Sequence, residues 1–97
     1  MKYPLRTPIH FEGEEISELD LKLEDMTGAD LIAVEREMAI QAGQSIDLNP
    51  MKEFSKDYLA RVAAKAAGKP AECIQALRAA DFTQVTAQVQ AFLFGEG

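Results

Sequence analysis

Apolar and polar positions along the chain change period near residue 26. Before it, Leu5, Thr7, Ile9 and Phe11 alternate with Arg6, Pro8 and His10. Alternation of this kind predicts a strand over residues 4–11. Two prolines inside that strand cannot donate ladder hydrogen bonds, so it belongs at a sheet edge or pairs irregularly. Glu12-Gly13-Glu14 offers a turn, with Gly13 free to take positive φ. Leu19, Leu21 and Leu23 then alternate with Glu18, Asp20, Lys22 and Glu24, which predicts a second strand over 15–24. The two segments fit an antiparallel hairpin with one wet face. A lone hairpin is marginal in water, so it must pack on helices or join another sheet.

After residue 26 the apolar positions recur with a helical period. Thr27 can cap a first helix, with Asp30 three residues on as the second half of a capping box. Leu31, Val34 and Met38 share one face, Ile32 and Glu35 lie to its sides, and the helix runs to about Gln41 before Gly43 stops it. Residues 43–50 read as a loop carrying Ile46 and Leu48. A second helix spans about 51–67, with Phe54, Tyr58, Val62 and Ala66 on one stripe and an alanine content that permits close helix approach. Gly68 ends it. Pro70 suits a first helical position, and Ala71–Ala79 form a short third helix with Cys73, Ile74 and Leu77. Asp81, with Gln84 three residues later, reads as the cap of a fourth helix whose stripe is Phe82, Val85, Val89, Phe92 and Leu93.

The expected fold class is therefore α+β. An N-terminal antiparallel β-hairpin (1–25) precedes about four α-helices packed as a small helical bundle (27–94), with a tail at 95–97. The 97 residues suit a single domain, 1–97.

Charge refines this picture. The formal net charge is −6. Residues 12–25 alone hold seven acids against Lys22, a net of −6, whereas residues 52–78 hold six bases against three acids, a net of +3. Acidity repels phosphate backbones, which disfavours nucleic acid and anionic membrane as partners. It reads as a solvated hairpin face that keeps the protein soluble, with docking of a basic partner as the sharper alternative. No apolar run reaches the roughly 18–20 residues of a membrane span, and no signal peptide is visible. A reduced, cytoplasmic protein is expected.

Candidate chemistry is sparse. One cysteine, Cys73, excludes intramolecular disulfides and cysteine-based zinc clusters. One histidine, His10, excludes a multi-histidine metal site. The glycines form no phosphate-binding motif, and Ser17, Ser45 and Ser55 lie in no nucleophile elbow. Neither catalysis nor a cofactor is expected. The last two helices invite a helix-turn-helix reading, but residues 81–94 carry no Lys or Arg to hold phosphates. What remains is surface for protein partners. Residues 91–94, Ala-Phe-Leu-Phe, end the chain's last helix, and Phe94 falls off the centre of the stripe.

The order of motifs adds a resemblance. Leu5-Arg6-Thr7-Pro8-Ile9 leads to Gly13, Leu19-Asp20-Leu21-Lys22 follows, and Met26-Thr27-Gly28-Ala29-Asp30-Leu31 opens the first helix. An alanine-rich helix comes next, then Ala80-Asp81-Phe82 and Val89-Gln90-Ala91-Phe92-Leu93. Over residues 5–94 this resembles the small tail assembly chaperones of long-tailed bacteriophages and Mu-like prophages. Where many of those place a proline before the threonine, this chain has Met26. The resemblance implies a non-enzymatic protein that binds the tape-measure protein, and other tail proteins with it, in the host cytoplasm and is absent from the finished virion. It also implies a gene that often yields a longer, frameshifted product, with Gly95-Glu96-Gly97 ending the short form. For such a role the expected client contacts are Phe92, Leu93 and Phe94, together with Met38 and Met51, because flexible and aromatic apolar side chains tolerate varied partner sequence. Self-association into a homo-oligomer is compatible with the sequence. The alternative function, of another class, is a small acidic DNA-associated regulator or DNA mimic.

Overall fold

The computed structural model describes residues 1–41 and 56–95. Strands β1 (Lys2–Phe11) and β2 (Glu14–Asp20) form a two-stranded antiparallel sheet. A 3-10 turn (Leu23–Asp25) leads into α1 (Gly28–Gln41), and α2 (Lys56–Ala67), α3 (Ala71–Gln75) and α4 (Ala79–Leu93) follow. The expected hairpin-plus-helices α+β architecture is what forms.

The hairpin turns at Glu12 and Gly13, with Phe11 opposite Glu14. Both turn residues take positive φ, 53° and 81°. Two such values in succession fit the type I′ turn, whose twist matches that of the flanking strands. The strand pattern departs from simple alternation. Pro4 pairs with Glu18 and Ile9 with Ile16, so residues 5–8 of β1 face Ser17 alone. Leu5 and Ile9 are buried, but Thr7, expected on the same side, is exposed. The prolines explain this, because neither offers an N–H to the ladder. The second strand also ends sooner than expected. Leu21 still exchanges backbone hydrogen bonds with Met1, at 2.7 and 3.1 Å. Lys22 N–H then donates to the Ala66 carbonyl at 3.1 Å. Leu23 enters the 3-10 turn, yet Leu19, Leu21 and Leu23 are all fully buried, as the alternation requires.

At the start of α1 the expected capping box is present. The Thr27 N–H donates to Asp30 Oδ2 at 2.9 Å, and the Asp30 N–H to Thr27 Oγ1 at 3.3 Å. Val34 is the buried contact of this helix, with Leu31 and Met38 packed half-buried against the core.

α2 is the central helix. It packs against α1, α3, α4, β2 and the 3-10 turn. Every residue from Tyr58 to Ala64 is buried, so burial encircles the helix instead of following one stripe. Small side chains at Ala60, Ala63 and Ala64 let the neighbours approach from several sides. Arg61 is carried inside with them, its Nε donating to Asp57 Oδ1 at 3.1 Å. The expected start of this helix at 51, its stripe residue Phe54, and the loop 43–50 lie outside the described residues.

The third helix is shorter than expected, and Pro70 occupies its N-cap instead of its first turn. Cys73, Ile74 and Leu77 are buried as the pattern predicts. α4 begins at Ala79 with Arg78 as its N-cap, so Asp81 lies inside the first turn and is not the cap. Its carboxylate is spent elsewhere. Asp81 Oδ1 accepts from the Arg6 N–H at 3.0 Å and the Tyr3 hydroxyl at 3.1 Å, and Oδ2 accepts from the Thr7 N–H at 3.1 Å. The two N–H groups belong to the stretch where β1 bulges away from β2. The acid thus closes the hole in the ladder and ties the hairpin to α4. Valines 85 and 89 continue the helix into the core, both fully buried.

Candidate functional site

Four of the five expected contact residues are described, and they fall on two different helices. Phe92, Leu93 and Phe94 stand together at the end of α4. Phe92 and Leu93 are half-buried against the core, and Phe94 is 49% exposed. Local backbone geometry fixes this end. Phe94 N–H donates to the Gln90 carbonyl at 3.1 Å, and Gly95 N–H to the Phe92 carbonyl at 3.0 Å. Gly95 then takes φ +81°, the left-handed conformation that turns a chain off a helix. Met38 lies on a different element, half-buried where α1 meets the core. Met51 lies outside the described residues.

The α4 surface has little charge of its own. From Ala79 to Leu93 its only ionisable side chain is Asp81, which is buried. Burial alone would raise this carboxyl, but the N–H groups of Arg6 and Thr7, the Tyr3 hydroxyl and the Arg6 charge together hold it below the ordinary value. Burial and the same carboxylate push the Tyr3 phenol upward, so it stays a donor at neutral pH. On α4 itself the exposed side chains toward Phe94 are apolar or amide-bearing, with Gln88 exposed and Gln90 half-buried.

Elsewhere the surface offers little for catalysis. Among the described residues no group of His, Cys, Asp or Glu side chains is placed to hold a metal ion. Cys73 is fully buried, and burial pushes its thiol upward, which suits packing and not nucleophilic chemistry. His10 is exposed on β1, opposite Glu15. The acids of residues 12–25 are exposed, in keeping with a solvated face. An open groove of about 570 Å³ runs between the end of β2, the start of α1 and the end of α2. Its charged walls, Asp20, Asp25 and Asp30 against Lys22 and Lys65, mix both signs. Among the described residues, no helix is long and apolar enough to cross a membrane.

On α1, Ile32, expected beside the core stripe, and Ile40, given no place by the pattern, are both exposed. Ile32 is 53% exposed and Ile40 78%. Their signal was a second run at spacing four, Ile32-Arg36-Ile40, beside the core stripe of α1.

Residues 2–93 match the family model described as phage tail assembly chaperone proteins, E, or 41 or 14. No curated protein and no solved structure matches the chain.

Proposed function

The chain belongs to the phage tail assembly chaperone family, and we propose that it serves there by holding the tape-measure protein soluble until tail-tube subunits polymerise around it. Tail proteins are the partners that membership implies. The narrower choice of client rests on chemistry. A tape-measure chain is long and largely helical, and its apolar stripes need cover before assembly. The end of α4 supplies a matching surface, and the exposure of Phe94 beside half-buried Phe92 and Leu93 is the observation that carries the reading. An aromatic edge on a surface with little charge binds the apolar face of a helix without demanding one sequence. The acidic hairpin keeps the complex soluble. No bond is made or broken, so the protein acts as a binding module in the host cytoplasm and leaves before the virion is complete. Met38 is a secondary contact.

Co-expression tests this directly. The tape-measure protein should stay in the soluble fraction when the chain is present and sediment when it is absent. Variants Phe92→Asp and Phe94→Asp should keep the wild-type circular dichroism spectrum and lose the client from affinity pull-downs. Folded variants that still co-purify with the client would remove the α4 end from the interface.

A further inference from the structure

The two edges of the hairpin differ. On β1, Pro4 and Pro8 lack N–H groups, and those of Arg6 and Thr7 are taken by Asp81. β2 has neither a proline nor a side chain capping its backbone. Which of its backbone groups face outward follows from the register. Met1 and Leu21 exchange both backbone bonds, and bonded pairs alternate from there. Tyr3 and Leu19 form such a pair, whereas Lys2 with Asp20 and Pro4 with Glu18 do not. The type I′ turn sets the same alternation from the other end, with Phe11 and Glu14 bonded and His10 and Glu15 not. The N–H and C=O groups of Glu15, Glu18 and Asp20 therefore point away from β1. Among the described residues no hydrogen bond reaches them, and all three residues are exposed. α2 closes the edge past the end of β2, where the Lys22 N–H meets the Ala66 carbonyl.

The three outward positions all carry acids. An antiparallel strand added here would form hydrogen-bonded pairs with them, with Cα atoms about 5.5 Å apart and its side chains directly across on the exposed face. Its alternate side chains would turn to the core side, beside buried Ile16 and Leu19. A second copy of β2 would set acid against acid, which charge disfavours. Basic side chains answer the acids instead. Asp20 already lies 3.8 Å from the Met1 amine. Glu15 and Glu18 have no ion pair among the described residues, so the choice of partner falls to them.

We propose that the outer edge of β2 accepts an added antiparallel strand from a protein segment that alternates basic and apolar side chains. The backbone of Glu15, Glu18 and Asp20 supplies the ladder, and the carboxylates of Glu15 and Glu18 select the charge. The site is separate from the end of α4 and does not depend on the client assigned to that end.

The probe is a short synthetic peptide alternating lysine and valine, added to the isotope-labelled full chain and followed by amide exchange in nuclear magnetic resonance. Exchange at the Glu15, Glu18 and Asp20 amides should slow, while the Ile16 and Leu19 amides, already in the ladder, change little. Methylating the peptide's lysine backbone nitrogens, which face β2, should weaken binding at least about tenfold, and methylating those of valine should leave it within about twofold. Glu15→Lys combined with Glu18→Lys alters two exposed sites and should keep the circular dichroism spectrum. That variant should lose the lysine peptide and bind its glutamate–valine counterpart. Unchanged exchange at the three amides, equal effects of the two methylation patterns, or lysine-peptide binding that survives the charge reversal would overturn the proposal. So would slowing confined to residues 90–95, because the peptide would then sit on the end of α4.

Discussion

Replacing Asp81 by asparagine keeps the side-chain shape and removes its charge. The carboxylate is 1% exposed and accepts hydrogen bonds from the N–H groups of Arg6 and Thr7 and from the Tyr3 hydroxyl. Bonds to a charged acceptor contribute about 1.5–3 kcal/mol each, and a buried donor left unpaired costs about 1–3 kcal/mol. An asparagine can keep one oxygen acceptor, but its amide group must face one of the former donors. The expected loss is about 2–4 kcal/mol, a large share of the ~5–15 kcal/mol that holds a domain folded. Asp81→Ala, which abandons all three donors, should cost more. Urea denaturation followed by far-ultraviolet circular dichroism measures the difference.

The dependence on pH sharpens the test. Burial opposes ionisation of Asp81, but its donors overcome that and set its folded pKa below the unfolded value of about 3.9. A depressed carboxyl stabilises fully above the unfolded pKa and loses that stabilisation as pH falls through the folded one. The gap between wild type and Asp81→Asn should therefore be constant through neutral pH and narrow below about pH 4. A variant within about 0.5 kcal/mol of wild type, or a gap unchanged down to pH 2, would refute the argument that this carboxylate fastens the hairpin.

Three smaller perturbations examine the elements around it. Thr27→Ala removes the acceptor of the Asp30 N–H and should lower stability by about 1 kcal/mol, read as a fall in melting temperature. Ala63→Leu adds bulk at a position with no exposure, where α2 is enclosed on several sides, and should shift the urea midpoint down by about 1–3 kcal/mol equivalent. Glu12→Asn places a residue that tolerates positive φ at the first turn position, now at 53°, and should raise stability by about 0.5–1 kcal/mol in the same melt.

Periodicity made the core legible. Leu19, Leu21, Leu23, Val34, Val62, Val85 and Val89 were all placed by the spacing of apolar residues, and all are buried. Local chemistry made the Thr27–Asp30 cap legible, because both partners lie within one turn. Asp81 was misread for the opposite reason. Its partners lie 74, 75 and 78 residues away in sequence, and its Asp-x-x-Gln context imitates a local cap. The available signal was on β1, where Pro4 and Pro8 bracket N–H groups that the ladder does not use. Arg61 and Thr86 were unmarked as well, since each is satisfied by a neighbour within its own helix. At the proposed partner surface, the exposure of Phe94 was legible because it leaves the stripe. Ile32 lies at the flank of α1, turned away from buried Val34, and is exposed.

Hydrogen exchange on the purified chain, with and without the tape-measure protein, tests the central claim most directly. The account predicts that client binding slows exchange at the end of α4, around residues 90–95, and leaves the acidic turn at residues 12–14 unchanged. Protection confined to the hairpin, with no change at the end of α4, would contradict it.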